Sequence, residues 1–140
     1  MITKETEELK EKGNVFYKSS RFEQAEEIYS CALEKYEASP QDQDRHHIRL
    51  NAALLSNRGN ARFEQGKYRD AAMDSHEAIA ILQQENASCS AASESAKGDD
   101  VTDSATATGV SPNDALISKN HWRLMRCLFY TNSPDLLKYV

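Results

Sequence analysis

The sequence predicts an all-α chain of helical hairpins stacked side by side, and three observations predict it. Apolar residues recur at three- and four-residue steps along most of the chain, the spacing of helices that bury one face. The link between the first two such stretches is SSRF, too short for anything but an antiparallel pair. The pattern of that pair then returns further along with its glycine, alanines and aromatic in matching places, the mark of an internal repeat.

The first helix is expected from Thr3 to Ser19, with Leu9, Gly13, Phe16 and Tyr17 on its buried face. The second follows from Phe22 to Tyr36, carrying Ala25, Ile28, Tyr29, Ala32, Leu33 and Tyr36, with Ser20 as its cap. After a break at Ser39-Pro40, where the residue before proline disfavours helix, the pair recurs as Leu50 to Gln65 and KYRDAAMDSHEAIAIL. Gly13-Asn14 lines up with Gly59-Asn60, Phe22 with Tyr68, Ala25 with Ala71 and Ala32 with Ala78. Small residues let paired helices approach while Phe22 or Tyr68 plugs the gap between neighbours, and such hairpins bury a continuous core only by stacking. An unrelated bundle with coincidental Ala and Gly spacing is the alternative.

The stretch from 85 to 112 is rich in Ser, Ala, Thr and Asp and nearly devoid of large apolar residues, so it reads as a disordered insert that cannot bury enough surface to fold. Helical signals return in NDALISKNHWRLMRCLFY, with Asn113 or Asp114 as N-cap and Leu116, Ile117, Trp122, Met125, Leu128 and Phe129 in register. A turn over Thr131 to Pro134 leads into SPDLLKYV, where Ser133 caps and Pro134 opens a helix of only two turns. The organisation expected is thus two full hairpins over 1–84, an insert over 85–112 and a third, cut-short hairpin over 113–140. The cut exposes apolar surface around Trp122, Leu128 and Phe129, which predicts a marginal chain or one that self-associates.

Charge narrows the function classes. The formal charge is −5, but Glu85 to Asp114 holds six acids and one base, leaving sixteen acids against sixteen bases elsewhere. The folded part is near neutral, and no basic patch argues for nucleic acid. No apolar run approaches the roughly 20 residues of a membrane helix. The charged N-terminus, MITKETEELKEKG, lacks a signal-peptide core, so the cytoplasm is the default. Three cysteines, Cys31, Cys89 and Cys127, show no metal-ligand spacing and read as reduced thiols. His46-His47 has no third ligand, and Cys31, placed among core positions, has no orienting partner for catalysis. Neither a cofactor nor an enzymatic role is expected.

The first helix carries Lys10-Glu11-Lys12-Gly13-Asn14, the third Ser56-Asn57-Arg58, and the fifth Lys119 and Arg123 four residues apart. With the hairpin repeat, these motifs make the chain resemble a tetratricopeptide-repeat (TPR) domain of the carboxylate-clamp co-chaperone type, over all of its length except the insert. The resemblance implies an α-α superhelix of two full repeats and a partial third, whose concave groove binds the acidic Glu-Glu-Val-Asp C-terminal tail of the seventy- and ninety-kilodalton heat-shock chaperones. It implies Lys10, Asn14 and Asn57 on the terminal carboxylate, Lys119 and Arg123 on the Asp side chain and nearby backbone, and Tyr17, Asn60, Phe63 and Glu64 along the groove. Phe63 would pack against the tail's valine, while Glu64 would repel acidic residues. A C-terminal Asp offers two carboxylates, and hydrogen bonds to them from Lys or Arg contribute about 1.5–3 kcal/mol each. The chain departs from the family pattern at Met125, where the first helix of a repeat usually has a small residue, and at Arg62, where an aromatic is usual. The alternative function is a repeat scaffold for another protein that ignores the free carboxylate.

Overall fold

The computed structural model describes residues 2–38, 45–93 and 112–139. These form five helices, α1 (Ile2–Lys18), α2 (Phe22–Glu37), α3 (Arg45–Glu64), α4 (Tyr68–Ser93) and α5 (Pro112–Thr131), followed by a short 3-10 helix, Pro134–Tyr139. No strand occurs among the described residues, so the all-α expectation holds. Each helix packs on the next in the chain, and α3 also touches both α1 and α5. Odd-numbered helices therefore share one side, with α3 in the middle.

The hairpin turns are set by the backbone. Ser20 stands at φ 59° and Gly66 at φ 78°, the left-handed conformation that ends many helices. Around them, the Arg21 amide donates to the Phe16 carbonyl at 2.9 Å, and the Lys67 amide to the Arg62 carbonyl at 2.9 Å. These paired geometries reverse the chain in both hairpins. Ser20 was expected to cap α2, but the residue at the cap is Arg21, which makes no side-chain cap bond; Ser20 instead terminates α1. Asn132, at φ 45°, ends α5 in the same manner.

Two cores lie along the stack. Ala25, Tyr29, Ala32 and Leu33 of α2 pack with Leu50, Leu54, Leu55 and Ala61 of α3 and Ala78 of α4. Ala71, Ala72 and Ile79 of α4 pack with Leu124 and Cys127 of α5 and Leu136 of the 3-10 helix. The repeat alanines sit at full burial, as does the backbone beside Gly13: a Cβ there would lie 2.8 Å from Tyr29 Cδ1 and 2.9 Å from its Cζ. The close approach read from the sequence is thus made by an aromatic ring against a glycine. Arg62, the non-aromatic substitute, is held by ion pairs to Glu26 at 2.8 Å and Asp74 at 3.0 Å.

Several expectations change. The insert was placed from 85, but α4 runs on to Ser93, because Glu85 is buried and bonded to Arg49 Nε at 3.0 Å and Asn113 Nδ2 at 2.9 Å. Asn113 therefore ties α5 to α4 and does not cap its own helix. Cys31 is exposed, not in the core. The exposed apolar surface expected around Trp122 and Phe129 is present, at 63% and 83% exposure, whereas Leu128 is half-buried. The break at Ser39-Pro40 and the rest of the insert, 94–111, lie outside the described residues.

Candidate peptide-binding groove

The face shared by α1, α3 and α5 carries the polar residues singled out in the sequence, and the structure assembles them in two groups. In the first, Asn14 Oδ1 accepts a hydrogen bond from the Tyr29 hydroxyl at 2.8 Å and another from Asn57 Nδ2 at 3.1 Å. Those bonds occupy both acceptor positions of the Asn14 carbonyl. Its amide hydrogens are thereby turned away from the core, with only a 3.4 Å contact to Glu11 Oε1. Lys10, one turn earlier on α1, has its ammonium 3.8 Å from the exposed Glu11 carboxylate. The group offers cationic and amide donors and few internal acceptors for them.

The second group surrounds a pocket between α3 and α5 lined by Asn60, Phe63, Glu64, Lys119, Trp122, Arg123 and Arg126. Lys119 is exposed and has no ion-pair partner among the described residues. Arg123 is placed differently. It is 6% exposed, and its Nη1 donates to Ser75 Oγ at 3.1 Å and to Asn120 Oδ1 at 2.7 Å. Its Nη2 donates to Asn60 Oδ1. Three of the five guanidinium donors are therefore spent, two joining α5 to α3 and α4 and one on Asn120 of α5 itself. Burial pushes Arg123 down to about 10, with Cys127, Tyr17 and Asp74 acting to raise it, so it is still a cation at neutral pH. Asn60, expected along the groove, is Arg123's acceptor, and Phe63 stacks edge-on against Tyr68 and Tyr130 at 5.2 and 5.8 Å.

The two groups are neighbours through α3. Asn57 and Asn60 lie three residues apart on that helix, hence on adjoining surface. Tyr17 of α1 senses both sides: burial raises its pKa, Glu64 raises it further, and Arg123 lowers it. What results is a strip of hydrogen-bond donors from α1 across α3 to α5, suited to an extended anionic chain. Comparison with models of known families finds no match for this chain, and comparison with curated proteins finds none either.

Arg126 was not singled out in the sequence, although a signal was there. Counted back from the left-handed residue of its own turn, Asn14 lies six before Ser20, Asn60 six before Gly66, and Arg126 six before Asn132. The same place in each hairpin faces the same side. Among the described residues no group of three or more His, Cys, Asp and Glu side chains could hold a metal ion. His46 meets Glu7 at 2.7 Å, and His47 packs on Tyr36. No helix of the described residues is long and apolar enough to cross a membrane.

Proposed function

We propose that this chain is a non-catalytic adaptor domain of TPR-type hairpins, two complete and a third partial, that grips the free C-terminal carboxylate of an acidic protein tail. By resemblance, the tail is of the Glu-Glu-Val-Asp kind carried by cytoplasmic heat-shock chaperones, which makes the domain a co-chaperone module. The observation that supports this reading is the donor strip of Lys10, Asn14, Asn57 and Lys119, whose amides are held in orientation by Tyr29 and whose cations have almost no internal acid to neutralise them. A terminal Asp brings two carboxylates within reach of such a strip, and charge-assisted bonds to them are about twice as strong as neutral ones. The burial of Arg123 favours a second reading, a repeat scaffold in which that residue is a strut and another surface binds a partner.

Fluorescence anisotropy with a labelled peptide ending in Glu-Glu-Val-Asp separates the two. The clamp reading expects binding that is lost when the peptide C-terminus is amidated and weakened about ten-fold or more by Lys119→Ala, the loss of one charged hydrogen bond. Binding that survives both changes, or none at all by folded protein, leaves the scaffold.

A further inference from the structure

Arg126 is held in an aromatic bracket. Its guanidinium carbon lies 4.5 Å from the centre of the Phe63 ring and 4.6 Å from that of Trp122, with Tyr130 at 5.8 Å, and Tyr130 in turn stacks on Tyr68. Ring stacking uses the flat faces of a guanidinium, whereas its N–H donors lie in the plane and leave from the edge. The bracket thus fixes the orientation of Arg126 without consuming its donors, and Arg126 has no ion-pair partner among the described residues. Pre-ordered in this way, it loses little conformational freedom on meeting a carboxylate, which it can grip with two parallel bonds.

Charge and distance specify the occupant. The pocket brings together Lys119, Arg123 and Arg126 against the single acid Glu64, an excess that selects an anionic ligand. Lys119 and Arg126 are seven residues apart on one helix, about 10 Å along its axis. An extended peptide covers that distance in about three residues. We infer that Arg126, braced by Phe63 and Trp122, is a second anchoring point of the groove and receives an acidic side chain three residues before the free terminus of the bound tail. This assignment rests on the carboxylate reading above and adds to it a requirement on the ligand's sequence.

The test is a cycle between protein and peptide. Wild type, Arg126→Ala and Arg126→Lys are titrated with Glu-Glu-Val-Asp, with Gln-Glu-Val-Asp and with the amidated form of the first, following anisotropy together with the emission of Trp122, the only tryptophan in the chain. Circular dichroism confirms that each variant is folded. The expected result is that replacing the first Glu weakens wild-type binding about ten-fold, that Arg126→Ala binds both free peptides equally at the weakened level, and that Arg126→Lys recovers only part, because an ammonium neither stacks flat nor bonds bidentately. Equal losses in wild type and Arg126→Ala, or no loss in either, overturn the assignment of Arg126 while sensitivity to amidation leaves the clamp standing. Indifference to amidation, or absence of binding, overturns both.

Discussion

Ser20 and Gly66 fill the same place in two turns, yet only glycine adopts a left-handed backbone without cost. A side chain at positive φ costs about 1–2 kcal/mol, partly offset by the greater freedom glycine loses on folding. Ser20→Gly is therefore expected to stabilise the protein by about 0.5–1 kcal/mol, and Gly66→Ala to destabilise it by a similar amount or more, both read from urea midpoints at constant m-value. At Gly13 two effects oppose: alanine favours a helix interior by about 0.5–1 kcal/mol, but a Cβ would press into the Tyr29 ring, and overpacking costs about 1–3 kcal/mol. Overpacking wins, so Gly13→Ala should lower stability and, by shifting the Tyr29 hydroxyl from Asn14, disturb the donor strip. At this scale the candidate site was only partly legible in the sequence. Lys10, Asn14, Asn57 and Lys119 announced themselves by motif and lie on one face. The burial of Arg123 did not, since it depends on Ser75 and Asn60, 48 and 63 residues away, and Arg126 draws its importance from the Phe63 ring on α3 as well as from Trp122 and Tyr130 on its own helix.

Between elements, a polar network joins α2, α3 and α4. Arg58 grips Asp74 with two bonds, at 3.0 and 2.8 Å, Arg62 joins Asp74 to Glu26, and Lys67 and Gln65 reach Glu26 at 2.8 Å. Asp74 is buried, so Asp74→Ala would strand the half-buried Arg58 and leave Arg62 with Glu26 alone; breaking such a pair costs about 3–5 kcal/mol, measurable by chemical denaturation. Burial by itself would raise the Glu26 carboxyl, but hydrogen bonds from Lys67, Arg62 and Gln65 outweigh it and bring the group down to about 2 from 4.5. A folded-state pKa below the unfolded one means that Glu26 stabilises the fold above about pH 4.5 and loses that contribution as pH falls towards 2. The gap in melting temperature between wild type and Glu26→Gln should then be full at pH 7 and closed near pH 2; a gap constant with pH would contradict the assignment. The hairpins themselves were legible because their signals are local, in the period of Ala25, Tyr29, Ala32 and Leu33 and the short turns. The last nine residues of α4 were not, because Ser, Ala and Asn give no apolar period there and the extension is anchored at Glu85 by Arg49 and Asn113, 36 and 28 positions distant.

Over the whole molecule, α4 is the element both cores share: Ala78 belongs to the core with α2 and α3, and Ala71, Ala72 and Ile79 to the core with α5 and the 3-10 helix. Proteins built this way hold together by nearest-neighbour interfaces, and their stability is close to a sum over units. The α5 end is the weaker one, since its outer face leaves Trp122, Met125 and Phe129 exposed, apolar surface that contributes nothing to folding while it faces water. Yet α5 supplies Lys119 and Arg126 to the proposed groove, so the end with exposed apolar surface bears two of its donors. Leu124, fully buried against α4, gives a way to test this division. Leu124→Ala removes about 2–5 kcal/mol, and if the two cores are separable the loss falls on α5 and the 3-10 helix alone. Hydrogen exchange followed by mass spectrometry should then show faster exchange across 112–139 with unchanged protection in α1 and α2. Protection lost evenly over all five helices would mean instead that α4 couples the two cores into one cooperative unit, and that the groove is as rigid at its α5 wall as at α1.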